Sequence, residues 1–435
     1  MKNQVLNIIK SKGAWSLYGQ AAFLLANFTL FLVLIKSVDS ALFGIWALYV
    51  TIISIADSLR QGLLQHGLTR SIIREPQSAK SLIASGLLIN YGYILLMGTI
   101  LWLISGLQSD SSTSLYTLLA HAVKSLIGLG TLQFINILYF SRERFKAYFI
   151  SNLFYLLTFG TGLIIIGIFD TLSFIAVINL QCLAIVPSVL HYLITNQIKW
   201  VAPSRSKVQE LLSFGKYIAG TNLLSMLFHK ADVLMLAIYT DPVAVALFHF
   251  ATKIVGYAEV PLNALSQVIY PRLAASNHEH GATRLKQVYL SSIFNLLLMA
   301  IPITALVIMF RSEIISLLST DTYASSAPLI VILCLAGLFK PFGRVFGLTL
   351  DAIGKPKINF QMLCLSLLVN IGMNLLLIPS YGVLGAAIAT CSSIVITVIW
   401  GQVRIKKHIG LDHSDLIRKM TLIKENHRLF KLNTL

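Results

Sequence analysis

The stretch SMLFHKADVLMLAIY, residues Ser225 to Tyr239, sets His229, Lys230 and Asp232 inside an otherwise apolar run. His229 and Asp232 are three apart and share a helical face, whereas Lys230 and Asp232 are two apart and point to nearly opposite sides. Lys230 is therefore not neutralised by its near neighbour and is expected to face a cavity. A second run carries His249, Lys253 and Tyr257 on one helical stripe, with Glu259, Asn263 and Gln267 on another. Thr117, His121, Lys124, Gly128 and Thr131 keep helical spacing. So do Gly337, Lys340, Arg344, Gly347 and Asp351, with Pro341 as an expected kink.

A charged side chain at the centre of a membrane span costs at least about 2.5–3.5 kcal/mol, so it normally faces a partner, a wet cavity or a substrate. Lys124, Lys230, Lys253, Lys340 and Arg344 outnumber Asp232 and Glu259 at comparable depth. An excess of cations suits an anionic ligand, and lysine and arginine suit phosphate oxygens well. The expected anion-binding set is Lys230, Lys253, Lys124, Lys340 and Arg344, joined by His121 and His249. Asp232, Glu259 and Asp57 are the candidates for coupling to H+ or Na+, Asp232 with His229 on its face. The plainer alternative is that these charges pair between helices and only hold a bundle together. Asp57 and Glu259 read most simply that way, with Arg60 a neighbour for Asp57.

The chain has no GxxxxGK[ST] loop, since AIGKPK lacks its spacing and hydroxyl residue, and it has no HExxH. The four cysteines, Cys182, Cys334, Cys364 and Cys391, fall singly inside apolar runs without metal or redox spacing. The pattern is that of a transporter rather than an enzyme, with no cofactor beyond a coupling ion.

The elements that must carry these residues follow from composition. Of 435 residues, 56% are hydrophobic and 12% charged, and the mean hydropathy is +0.78, which places the chain in a membrane. Apolar runs of about 20 residues recur, and no segment alternates as a barrel strand does. The expected fold is all-α and polytopic, with about twelve transmembrane helices. They fall at 15–36, 42–66, 82–105, 114–140, 147–168, 172–194, 212–239, 243–270, 288–310, 325–350, 358–379 and 383–403. The formal charge of +17 collects in alternate connections, while the intervening loops hold Asp39, Asp110, Asp170, Asp241 and Asp321. By the positive-inside rule both termini are expected in the cytoplasm, and the charge serves topology rather than nucleic acid.

An offset of 202 positions pairs Gly13 with Gly215, Asp39 with Asp241, Asp57 with Glu259, Gln65 with Gln267 and Arg70 with Arg272. Polar matches inside spans point to a duplication, and an even number of helices per half gives a parallel repeat with a central cavity. The expected organisation is a six-helix lobe over 1–195, a cytoplasmic linker over 196–210, a second six-helix lobe over 211–404 and a basic cytoplasmic tail over 405–435. Arg70 and Arg272 read as topology anchors.

At ELLSFGKYIAGTNLLSMLFHKADVLMLAIYTDP, NALSQVIYPRLA and GKPKINFQMLCLSLLVNIGMNLLLIPSYGVLGAAIAT the sequence resembles the bacterial polysaccharide repeat-unit flippases. These are the O-antigen and capsule translocases of the superfamily that also holds multidrug exporters and the lipid II flippase. The resemblance implies alternating access that moves an undecaprenyl-pyrophosphate-linked oligosaccharide from the cytoplasmic to the periplasmic leaflet of the inner membrane. It also implies a cationic cavity at the lysines and arginine named above, and contact with membrane lipids, a polysaccharide polymerase and a chain-length regulator. The multidrug branch typically has an acidic residue in its first span, where this chain has Gln20 and Asn27. About twelve spans also fits less well with the lipid II flippase, which resembles a longer bundle. A cation-coupled multidrug exporter and a non-transporting assembly scaffold stay open as other classes.

Overall fold

In a computed structural model of the chain, the described residues are 12–107, 115–168, 172–196, 201–279 and 281–410. They form helices joined by short turns. The helices are α1 (Lys12–Ser37), α2 (Ser40–Arg74), α3 (Ala79–Ser105), α4 (Leu115–Leu119), α5 (Ala122–Ser141), α6 (Phe145–Ile168), α7 (Phe174–Leu183), α8 (Val186–Thr195), α9 (Arg205–Tyr239), α10 (Pro242–Ala258), α11 (Val260–Glu279), α12 (Gly281–Met309), α13 (Arg311–Leu318), α14 (Ala327–Gly337), α15 (Lys340–Ala352) and α16 (Pro356–Ile409). The tail expected over 405–435 is helical to Ile409, and 411–435 lie outside the described residues.

Large apolar side chains cover the helix exteriors. Leu95, Leu96, Trp102 and Leu103 of α3 are each more than half exposed, a pattern that suits hydrocarbon rather than water. Ten helical segments among the described residues are long and apolar enough to cross a membrane, and the bent pair Pro242–Ala258 and Val260–Ser266 adds an eleventh.

The last of the ten folds back on itself. An unbroken helix of the 54 residues of α16 would be about 80 Å long, far beyond the ~30 Å hydrocarbon core. Gly382, at φ 54° and ψ −130°, leaves the helical region in a way only glycine adopts at low cost. Ser366 Oγ then donates to Thr397 Oγ1 at 2.8 Å, two residues that a straight helix would hold about 46 Å apart. α16 is thus two antiparallel arms, as the sequence spans 358–379 and 383–403 expect.

Other spans are broken rather than straight. The 114–140 run divides at Ala120 and His121 into α4 and α5. The 325–350 run divides before Lys340, where Pro341 sits in the first turn of α15 and needs no N–H partner. Pro261 cannot donate to the preceding turn, so α10 ends at Ala258 and α11 departs at 46°.

The chain packs as two compact units, one of residues 1–230 with 318–320, the other of 231–317 with 321–435. In the first, α1 lies on α6, α2 on α3 and α5, and α6 on α8. Its core gathers Leu64, Leu68, Leu82, Phe134, Leu138 and Leu211. In the second, α11 packs on α12 and α15, and α16 on α14 and α15, around Leu273, Leu285, Leu296, Val345, Leu350 and Ile405. The 196–210 stretch expected to link two lobes is helical from Arg205 onward, as the start of α9. Asp39 and Asp241, paired by the internal repeat, do the same work in each unit. Asp39 accepts from Ala41 N at 2.9 Å at the start of α2, and Asp241 from Ala244 N at 2.8 Å at the start of α10.

Candidate functional site

In the second unit the end of α9 carries Asp232, which is buried. Asn370 and Asn374 stand one helical turn apart on the first arm of α16, so both amides reach the same point. Asn370 Nδ2 donates to Asp232 Oδ1 at 2.9 Å and Asn374 Nδ2 to the same oxygen at 2.6 Å. The fold-back at Gly382 brings in the second arm, from which Thr390 Oγ1 donates to Asp232 Oδ2 at 2.9 Å. Asn374 Oδ1 is buried beside them without a hydrogen bond among the described residues. Two amide N–H donors and one hydroxyl thus converge on a buried carboxylate where α9 meets the two arms of α16.

The break at Glu259 aims its carboxylate at α15. Lys340 Nζ donates to Glu259 Oε1 at 2.6 Å, and Arg344 Nη1, one turn on, donates to Ser266 Oγ at 3.2 Å. Lys340, expected to attract an anion, is therefore neutralised by an acid of its own unit. Lys253 lies half-buried on α10 and has neither a hydrogen-bond nor an ion-pair partner among the described residues. His249, one turn before it, is buried. Lys230, the last residue of the first unit, is half-buried on α9.

In the first unit Asp57 accepts from Arg60 Nε at 2.8 Å and from Gln61 Nε2 at 2.6 Å. Arg60 is fully buried and reaches on to Asn90 Oδ1 at 2.7 Å. Helical spacing of three and four makes the first two contacts, and the packing of α3 on α2 makes the third. Lys124 is exposed on α5 and donates to Asn179 Oδ1 of α7 at 2.8 Å. His121 sits at the break before α5, its ring nitrogen 3.2 Å from Thr117 O.

The structure thus brings Glu259 to Lys340 and Asp57 to Arg60, surrounds Asp232 with amide and hydroxyl donors, and leaves Lys253 without an acid among the described residues. Sequence reasoning missed Asn370, Asn374 and Thr390. The two asparagines did carry a signal, four apart in the apolar run LSLLVNIGMNLLLIPS, whereas Thr390 joins only through the tertiary fold.

Comparison with known proteins agrees with this architecture. The chain is 21% identical over 197 residues to the probable low-salt glycan biosynthesis flippase Agl15 of Haloferax volcanii, a match spanning 45% of this chain and 42% of that protein. The chain thus spans less than half the length of that curated relative. Among solved structures, the lipid II flippase MurJ in an inward closed conformation superposes with a TM-score of 0.71 at 15% identity, over 90% of this chain and 87% of that one. An inward-facing multidrug resistance MATE family transporter of the MOP superfamily gives 0.69 at 16% identity, over 89% and 95%. At such identities the likeness is one of fold. A family model described as polysaccharide biosynthesis protein matches residues 34–328, about two thirds of the chain, and the chain belongs to that family.

Proposed function

We propose that this protein is a flippase that moves an undecaprenyl-pyrophosphate-linked oligosaccharide repeat unit across a bacterial inner membrane by alternating access, with both termini cytoplasmic. The observation that carries this reading is Lys253, a membrane-embedded cation that no acid among the described residues neutralises. A sugar-diphosphate head group cannot cross hydrocarbon bare, because an unpaired buried charge is costly, and it needs a cationic path while its tail stays in the bilayer. Lys253 and Lys230 bind the diphosphate in this reading. Arg344 assists, and Lys340 serves mainly to hold Glu259. Asp232 takes up H+ or Na+ to drive the cycle, and the polymerase and chain-length regulator act on the delivered product.

Deletion of the gene should leave lipid-linked repeat units on the cytoplasmic leaflet. Lys253→Gln and Lys230→Gln should stop surface polysaccharide while the protein stays in the membrane. Full surface polysaccharide in both variants would refute the assignment.

A further inference from the structure

The first unit holds a second cationic feature, at the end of α2 and the first turns of α9. The end of α2 and the first turns of α9 approach backbone to backbone. A Cβ on Gly215 would run into the backbone of Leu63, and one on Gly62 into that of Ala219. Ser58 and Asn222 exchange reciprocal side-chain bonds to each other's carbonyls nearby. Towards the basic end of this pair lies a cleft of about 300 Å³, lined by Arg70, Ser71 and Arg74 of α2 and by Glu210, Phe214 and Tyr217 of α9, among others.

The charges at the cleft divide into a closed set and a surplus. Arg74 Nη2 contacts Glu75 at 2.8 Å and Glu210 at 3.0 Å, and Lys207 Nζ contacts the same two carboxylates at 2.5 and 3.1 Å. Ser71 Oγ adds a bond to Glu210 at 2.8 Å. Two cations and two anions cancel. Arg70 is left over, its guanidinium 5.0 Å above the Phe214 ring with no acid among the described residues. Lys216 is left over as well, 5.1 Å above the ring of Tyr217, a side chain that is 72% exposed.

A guanidinium stacked on a ring keeps its edge donors free for two parallel bonds to phosphate oxygens. Tyrosine, lysine and arginine at the end of spanning helices mark the headgroup level of a bilayer. We propose that this cleft binds the phosphate of an anionic lipid. Arg70 is the bidentate donor, Phe214 and Tyr217 are the walls along which the apolar part leaves toward the bilayer, and Lys216, over the Tyr217 ring and outside the lining, adds positive charge beside the cleft. This goes beyond the transport reading and does not depend on it, since the readout is binding.

The test is native mass spectrometry of the full-length protein in detergent, titrated with farnesyl diphosphate, phosphatidylglycerol, inorganic pyrophosphate and, as a phosphate-free control, diacylglycerol. Arg70→Gln should weaken farnesyl diphosphate binding about tenfold. Arg70→Lys, which keeps the charge without the fork, should lose less, and Phe214→Leu should lose part by freeing the guanidinium. Lys80→Gln, an exposed cation outside the cleft, should change nothing. A parallel loss for phosphatidylglycerol assigns the cleft to lipid phosphates in general. A loss confined to farnesyl diphosphate assigns it to diphosphate carriers, and a parallel loss for pyrophosphate shows that the head group suffices. Each of these sustains the proposal. Unchanged binding in both Arg70→Gln and Phe214→Leu, or an equal loss in Lys80→Gln, overturns it.

Discussion

Asn374 Nδ2 stands 2.6 Å from Asp232 Oδ1, across 142 positions of sequence. The contact ties the end of α9 to the first arm of α16, and Thr390 ties the same carboxylate to the second arm. One acid thereby holds three membrane segments, and any event that changes its ligation is felt by all three.

Asp232→Asn replaces an acceptor of three bonds with a group that also donates, so amide would face amide. At about 0.6 kcal/mol for each bond between membrane helices, the loss should come to about 2 kcal/mol of stability. Thermal unfolding in detergent measures this. Added sodium should raise the melting temperature of the wild type and leave Asp232→Asn unmoved. An equal response in both would remove Asp232 from ion coupling.

Lys340 and Glu259 make the analogous test for pairing. The side chains are 35% and 17% exposed, so solvent screens part of their attraction. Glu259→Gln and Lys340→Gln should each destabilise, and their double-mutant cycle should return a coupling of about 1 kcal/mol. A coupling near zero would return Lys340 to the set of uncommitted cations and make it a stronger candidate for the substrate path.

Arg60 is fully buried, and Asp57 is its one carboxylate partner recorded among the described residues. Asp57→Ala strands the guanidinium in a dry interior, at a cost of about 3–5 kcal/mol, whereas replacing both residues with leucine should recover most of it. Unfolding of the single and double variants reads the difference. A fully stable, transport-deficient Asp57→Ala would instead assign Asp57 to ion coupling.

Much of this was legible because a membrane forces long apolar runs and penalises charge. The runs gave the helices. The Asp57–Arg60 pair was legible too, because residues three apart on a helix are neighbours whatever the fold. The Lys340–Glu259 pair was not, since no spacing rule links positions on different helices. For the same reason the sequence alone reads Lys340 as surplus charge. The apolar pattern also does not register where a span breaks, because broken helices bury the same side chains. His121 and Lys124 looked like one continuous stripe with Thr117, yet a turn at Ala120 and His121 divides it. Proline was the exception, and Pro341 and the Gly382 region both mark their breaks in the sequence.

Glu75, at the turn after α2, connects pH to the basic ends of α2 and α9. The hydrogen bond from Lys207, and then that from Arg74, hold its carboxyl below the ordinary glutamate value. A carboxyl whose folded value is depressed stabilises the fold fully above its unfolded value, and that stabilisation is lost as pH falls through the folded value. Acidification below the ordinary glutamate range should therefore loosen the link between Arg74, Glu75, Lys207 and Glu210. Glu75→Gln removes the titrating group while keeping its shape, so the variant should start less stable at neutral pH and lose less on acidification. Melting temperatures of both proteins in detergent, compared at neutral and acid pH, give the answer. Equal acid sensitivity would show that another carboxylate governs this end of the first unit.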